Sequence, residues 1–117
     1  MHFQIIKDEY YPNIISHLKL IVPEFKTIFD DDEIYPALAS FSEFLISNVE
    51  KDGLFNKCIM FINEAIERGK HSTEDVIVLQ VFQLIYKNDD VIEKIKPKLS
   101  KEAILLFNKF LLLTNKS

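Results

Sequence analysis

A chain of 117 residues, 48% hydrophobic and 27% charged, suits one globular domain over 1–117 and leaves no room for a second. Only two glycines and four prolines interrupt it, which favours long helices and excludes a glycine-rich phosphate cradle. The single cysteine, Cys58, excludes an internal disulfide; with no apolar run long enough for a secretory signal or a membrane span, the expectation is a cytoplasmic protein.

In chain order, residues 2–6 read either as a short strand or as an added turn on the first helix. That helix is expected over 12–21, with Ile14, Ile15, Leu18 and Ile21 on one face. A short helix over 23–29 would bury Phe25, Ile28 and Phe29. The next, over 34–51, has the clearest pattern: Ile34, Leu38, Phe41, Leu45 and Val49 recur at helical spacing, with Ser42, Glu43, Ser47 and Glu50 facing out. Over 54–68, the residues Phe55, Cys58, Ile59, Ile62, Ala65 and Ile66 line an inner face, and the short Asp52-Gly53 join predicts an antiparallel hairpin with the helix before it.

Ser72-Thr73-Glu74-Asp75 resembles a capping box and opens a helix running to about Lys87. Between Val76 and Tyr86 only Gln80 and Gln83 are polar, which places this helix in the middle of a bundle; Val76-Ile77-Val78 keeps a buried strand as the competing reading. A brief helix over 90–96 follows, and a last one is N-capped by Ser100 and runs to about Leu113, with Ile104, Phe107, Phe110 and Leu111 inward. Pro12, Pro23 and Pro36 read as helix starts, Gly53 and Gly69 as left-handed helix stops. The fold class is all-α, six or seven helices packed as antiparallel hairpins in an irregular bundle or a short right-handed superhelix.

Catalytic chemistry finds little purchase. His2, His17 and His71 are scattered with no metal-ligand spacing, and no nucleophile motif is present. Cys58 sits on an apolar helical face, where a thiol is a small inert hydrophobe. Lys94, Lys96, Lys98 and Lys101 surround Pro97 without aromatic residues between them, and Arg68 is the sole arginine, so nucleic acid is a poor partner. The expectation is no enzyme, cofactor, metal or membrane association.

Charge is unevenly placed. Residues 1–58 hold ten acids and five lysines; residues 59–117 hold nine bases and eight acids. The densest run is Asp30-Asp31-Asp32-Glu33, ahead of Ile34-Tyr35-Pro36. It can serve the positive end of the following helix, each acid contributing about 0.3–1 kcal/mol. A calcium loop fails, because Ile34, Tyr35 and Phe41 occupy the places that need an acid, glycine and glutamate. The third use is a docking face for a basic protein: adjacent like charges repel, Tyr35 suits an interface anchor, and further acids (Asp8, Glu9, Glu24) accompany Tyr10 and Tyr11.

Several segments carry a resemblance: Val22-Pro23-Glu24-Phe25, the acidic run, Tyr35-Pro36-x-Leu38-x-x-Phe41-x-x-Phe44-Leu45, the helix Ile59-Met60-Phe61-Ile62-Asn63-Glu64-Ala65-Ile66, and Glu74-Asp75-Val76 onward to Leu84. Together, over 21–113, the chain resembles small all-helical bacterial immunity proteins of toxin–immunity pairs, including contact-dependent growth-inhibition systems. The resemblance implies a cognate toxin domain as partner, a basic ribonuclease by class, blocked over its active site; it assigns no contact residues. From the charges, Asp30, Asp31, Asp32, Glu33, Tyr35, Glu24, Asp8 and Glu9 form the expected partner-binding set. The alternative is a helical adaptor that seats a peptide or helix in a groove.

Overall fold

The computed structural model describes residues 7–114, and these form an all-α domain. Residues 2–6, with their strand-or-helix alternative, lie outside the described residues. Helix α1 (Ile14–Ile21) is entered through a 3-10 turn at Tyr11–Asn13 that uses Pro12 in its first turn. Then come α2 (Ile34–Ser47) and α3 (Asp52–Arg68). Helix α4 is one continuous rod over 71–85: α-helix His71–Ile77, a π-helical turn Val78–Phe82 and α-helix Gln83–Ile85. Helix α5 (Asp89–Ile95) runs into a 3-10 turn at Lys96–Lys98, and α6 (Lys101–Leu113) closes the fold.

Helices α3 and α4 take the centre. Helix α3 has α1, α4 and α6 as close neighbours, and α4 has α2, α3, α5 and α6. Of the competing readings of Val76-Ile77-Val78, helix prevails. Two groups of rings tie the layers. Phe25 meets Phe41 (5.7 Å) and Phe44 (5.4 Å), and Phe41 meets Phe61 (5.2 Å), joining the 22–33 segment to α2 and α3. Phe82 meets Phe107 (4.8 Å), and Tyr86 meets Phe110 (5.9 Å), joining α4 to α6. Such edge-to-face pairs add about 0.5–1.5 kcal/mol each beyond the area they bury.

Several local expectations are corrected. No helix forms over 23–29: Phe25 alone drops fully into the core, Phe29 is half-buried, and Ile28 is 94% exposed. Seven residues with a single core slot to fill do not repay helix nucleation, and the backbone instead turns at Phe25, whose N–H donates to Val22 O (3.0 Å). Helix α2 stops at Ser47, four residues early, because Asn48 folds its side chain back to donate to Phe44 O (2.7 Å). Across the 48–51 turn, α2 and α3 meet through Phe41 and Phe61, while the close backbone neighbours of α2 are α1 and α4. Ser42 is not on the outer face but fully buried. Its hydroxyl lies 2.6 Å from Gln80 O in the π-helical turn and 3.0 Å from Leu38 O, so α2 and α4 are joined by a polar contact inside the core.

Neither glycine is a left-handed stop. Gly53 lies in the first turn of α3 with open space around it. Gly69 follows α3 in extended backbone (φ −78°, ψ 173°), and its role is close approach: a Cβ there would stand 2.4 Å from Thr73 Cβ and 2.6 Å from Ala65 O. The last turn of α3 and the first of α4 therefore touch through a missing side chain. Ser100 caps α6 as expected, accepting from Ala103 N–H (3.3 Å), and Asn63 of α3 holds that corner by accepting from Ser100 N–H (2.9 Å).

Candidate functional site

The acids of the first half do three different things. Asp8 works inside the fold. Helix α4 begins at His71 with no side-chain cap of its own; Ser72 does not supply one. Asp8 does so from 62 and 65 residues away in sequence: Oδ2 accepts from Lys70 N–H (2.9 Å) and Thr73 N–H (2.7 Å), and Oδ1 from the Thr73 hydroxyl (3.0 Å) and Tyr11 N–H (3.1 Å). Burial pushes the Asp8 carboxyl up, but the bonds from Thr73, Lys70 and Tyr11 outweigh it and hold the group below its usual 3.8.

Tyr10, next along, is buried too. Its hydroxyl donates to Glu64 Oε2 (2.9 Å); His17 stacks on its ring at 4.4 Å and 7°, and the Arg68 guanidinium lies 5.2 Å from the ring centroid while pairing with Glu64 (3.1 Å). Burial first, then the Glu64 bond and charge, push the Tyr10 hydroxyl far above its usual range. His17 is thus a packing residue on α1. Cys58 is buried, and desolvation, followed by the charge of Glu24, pushes its thiol up to about 12, which removes it as a nucleophile at neutral pH.

Two acids are tied across the surface. Glu24 accepts from Lys57 Nζ of α3 (2.7 Å), which with neighbouring charges holds it below 4.5. Asp31 accepts from Lys19 Nζ of α1 (2.7 Å), with the Ser16 hydroxyl at 3.5 Å. These exposed pairs are weak, and they tie the 22–33 segment to α1 and α3. Glu9 is exposed, and its backbone carbonyl accepts from Asn13 (3.4 Å).

Asp30, Asp32 and Glu33 remain outward. Glu33 is the N-cap residue of α2 but makes no side-chain capping bond; Oε1 accepts from Asp30 N–H instead (3.1 Å), and Glu33 N–H donates to Asp30 O (2.9 Å), closing the turn. Among the described residues the side chains of Asp30 and Asp32 have no hydrogen-bond or ion-pair partner. Carboxylate oxygens of Asp30, Asp32 and Glu33 all lie within 4.8 Å of one another, a spacing that could hold a metal ion. At that separation each pair of charges repels by on the order of 1 kcal/mol even at water's dielectric. Any cation brought to the turn relieves this.

Around the turn lies exposed apolar surface. Ile28 is 94% exposed, Leu20 stands one turn beyond Ser16 on α1, and Tyr35 projects from the first turn of α2. Burial, then the charges of Tyr35 and Asp8, push the Tyr11 hydroxyl above 10.0. The structure therefore clusters Asp30, Asp32 and Glu33 in one turn beside Asp31 and Tyr35, while Glu24 pairs with Lys57 of α3 and Asp8 binds the α4 terminus. Ile28 belongs to this surface, although helical periodicity had assigned it inward.

A second surface feature was not signalled by helical periodicity: a groove of about 480 Å³ between α4 and α6, lined by Val78, Leu79, Leu106 and Leu113 with Asp75 and Lys109 at its walls. The run Leu111-Leu112-Leu113, more apolar than one inward face requires, is its only trace in the sequence. Among the described residues no helix is long and apolar enough to cross a membrane. No family model, no curated protein and no solved structure matches this chain.

Proposed function

We propose that this protein is an immunity-type inhibitor that binds a basic partner protein, a cognate bacterial toxin domain of the nuclease class, and covers its active site. The observation that carries the reading is the turn at 30–33: three carboxylates crowded together, two of them without a side-chain partner among the described residues, with Ile28 and Tyr35 exposed on either side in sequence. Glu33 makes no side-chain capping bond to α2 and accepts from Asp30 N–H instead, so the turn presents its carboxylates outward. A nuclease active site is built to hold phosphates between cations, and clustered carboxylates offer the same charge to those cations. Opposed charge also speeds encounter, toward 10⁸–10⁹ M⁻¹s⁻¹ at low salt. The class of partner comes from the resemblance to small helical immunity proteins; the placement on the molecule comes from the charges.

The test is binding of the purified chain to the product of the adjacent upstream gene, with association followed by stopped flow across ionic strength and growth protection measured in parallel. The reading expects a tight complex, loss of the partner's nuclease activity, and an association rate that falls steeply with salt. A partner that binds with a salt-independent rate and keeps its activity would overturn it.

A further inference from the structure

Helix α6 has a second apolar face. Its inward side carries Ala103, Phe107, Phe110 and Leu111, all buried. Leu105, Leu112 and Leu113 are 64%, 69% and 77% exposed, and with Leu106 and Lys109 they fall within roughly a third of the helical circumference, at 100° per residue. Leu79 of α4, 47% exposed, continues this surface across the groove. On the same stripe sit Glu102 and Lys109, two turns apart, both exposed and neither with an ion-pair partner among the described residues.

That order of charges is self-complementary. When one α6 is laid antiparallel on another so that residue 102 faces residue 109, the two-fold axis falls between 105 and 106. Each Glu102 then meets the other copy's Lys109, with Leu105 and Leu106 of both copies around the axis. An isologous contact requires this: one patch that fits itself after a two-fold rotation. A helical adaptor would use the same groove for a foreign helix, but nothing on the molecule sets the order of such a helix's charges, whereas α6 carries both the apolar stripe and its complement. We propose that α6 is a self-association surface on which two copies of this chain pack antiparallel, Glu102 of each paired with Lys109 of the other. This holds whether or not the acidic turn binds a basic partner.

The experiment is sedimentation velocity on the full chain across concentration, expecting a dimer with a dissociation constant in the range of roughly 1–100 µM. Leu105→Glu, on the stripe's centre, is expected to weaken the dimer by at least about a hundredfold, to monomer in this range, with the helical circular dichroism unchanged. Should that variant fail to fold, the charge series decides: Glu102→Lys and Lys109→Glu each weaken association about tenfold, and the double reversal E102K/K109E restores it. A wild-type chain that stays monomeric, leaving the stripe to another protein's helix, overturns the proposal. So does a dimer indifferent to Leu105→Glu, or a double reversal that recovers nothing.

Discussion

Two acid-and-tyrosine regions of this chain, Asp8 to Tyr11 and Asp30 to Tyr35, look alike in sequence and are used in opposite ways. In the first, Asp8 meets three donors at the start of α4 and Tyr10 is enclosed by His17, Glu64 and Arg68. In the second, the side chains of Asp30 and Asp32 meet none among the described residues, and Tyr35 stands at the surface. A carboxylate's role is set by whether donors face it. The α4 terminus supplies free backbone N–H groups because no residue next to it caps them, while the start of α2 presents nothing to Asp30 or Asp32. The first region is a clasp between the N-terminal turn and α4; the second keeps its charge for a partner.

Breaking the clasp has the largest expected effect. Gly69→Ala drives a methyl into Thr73 and Ala65 O, displacing the α4 terminus that Asp8 holds, and is expected to cost about 1–3 kcal/mol in urea unfolding. Asp8→Asn removes the charge and an acceptor oxygen and is expected to cost about 1–2 kcal/mol. It also alters the pH profile. Because the folded Asp8 carboxyl is held below 3.8, its contribution is complete at neutral pH and is lost as pH falls from 3.8 through the folded value. Thermal unfolding of D8N should therefore converge on wild type at low pH, and a constant gap down to pH 2 would contradict the clasp.

Ser42→Ala, in the core between α2 and α4, leaves Gln80 O without its hydroxyl donor and should destabilise by about 1 kcal/mol, read as a lower urea midpoint with unchanged slope. At the acidic turn the expected result is the reverse of the clasp. Replacing Asp30 and Asp32 with Asn and Glu33 with Gln should change stability by no more than about 0.5 kcal/mol while slowing association with a basic partner about tenfold at low salt. Equal stability loss at both regions would erase the distinction between them. Gly53→Ala, at a helical position with open space, should raise stability by about 0.5–1 kcal/mol and leave binding untouched, a control for helix propensity alone.

Much of this fold is legible from one sequence because long helices announce themselves. Ile34, Leu38, Phe41 and Leu45 repeat at 3.6-residue spacing and are all buried; Ser100 reads as an N-cap and is one. Short and polar features are less legible, since their state depends on what lies opposite. Ser42 has the appearance of an outward residue until Gln80 O is placed above it. Ile28 follows the same periodicity as Phe25, yet only Phe25 finds a slot between Phe41 and Phe44. Ser72 and Asp8 both have capping chemistry, and the one 65 residues from Thr73 takes the place because the chain's N-terminal turn is packed there.

By itself the sequence determined an all-α domain, the core faces of its long helices, and an acid-rich first half, because periodicity and charge are local properties of the chain. The tertiary structure alone decided which acids are free. Three carboxylates at 30–33 stand together at the surface, while donors from α3 and α4 reach Glu24 and Asp8. Only packing could also leave the leucines of α6 uncovered, since a helix with two apolar faces can present just one of them to its own core.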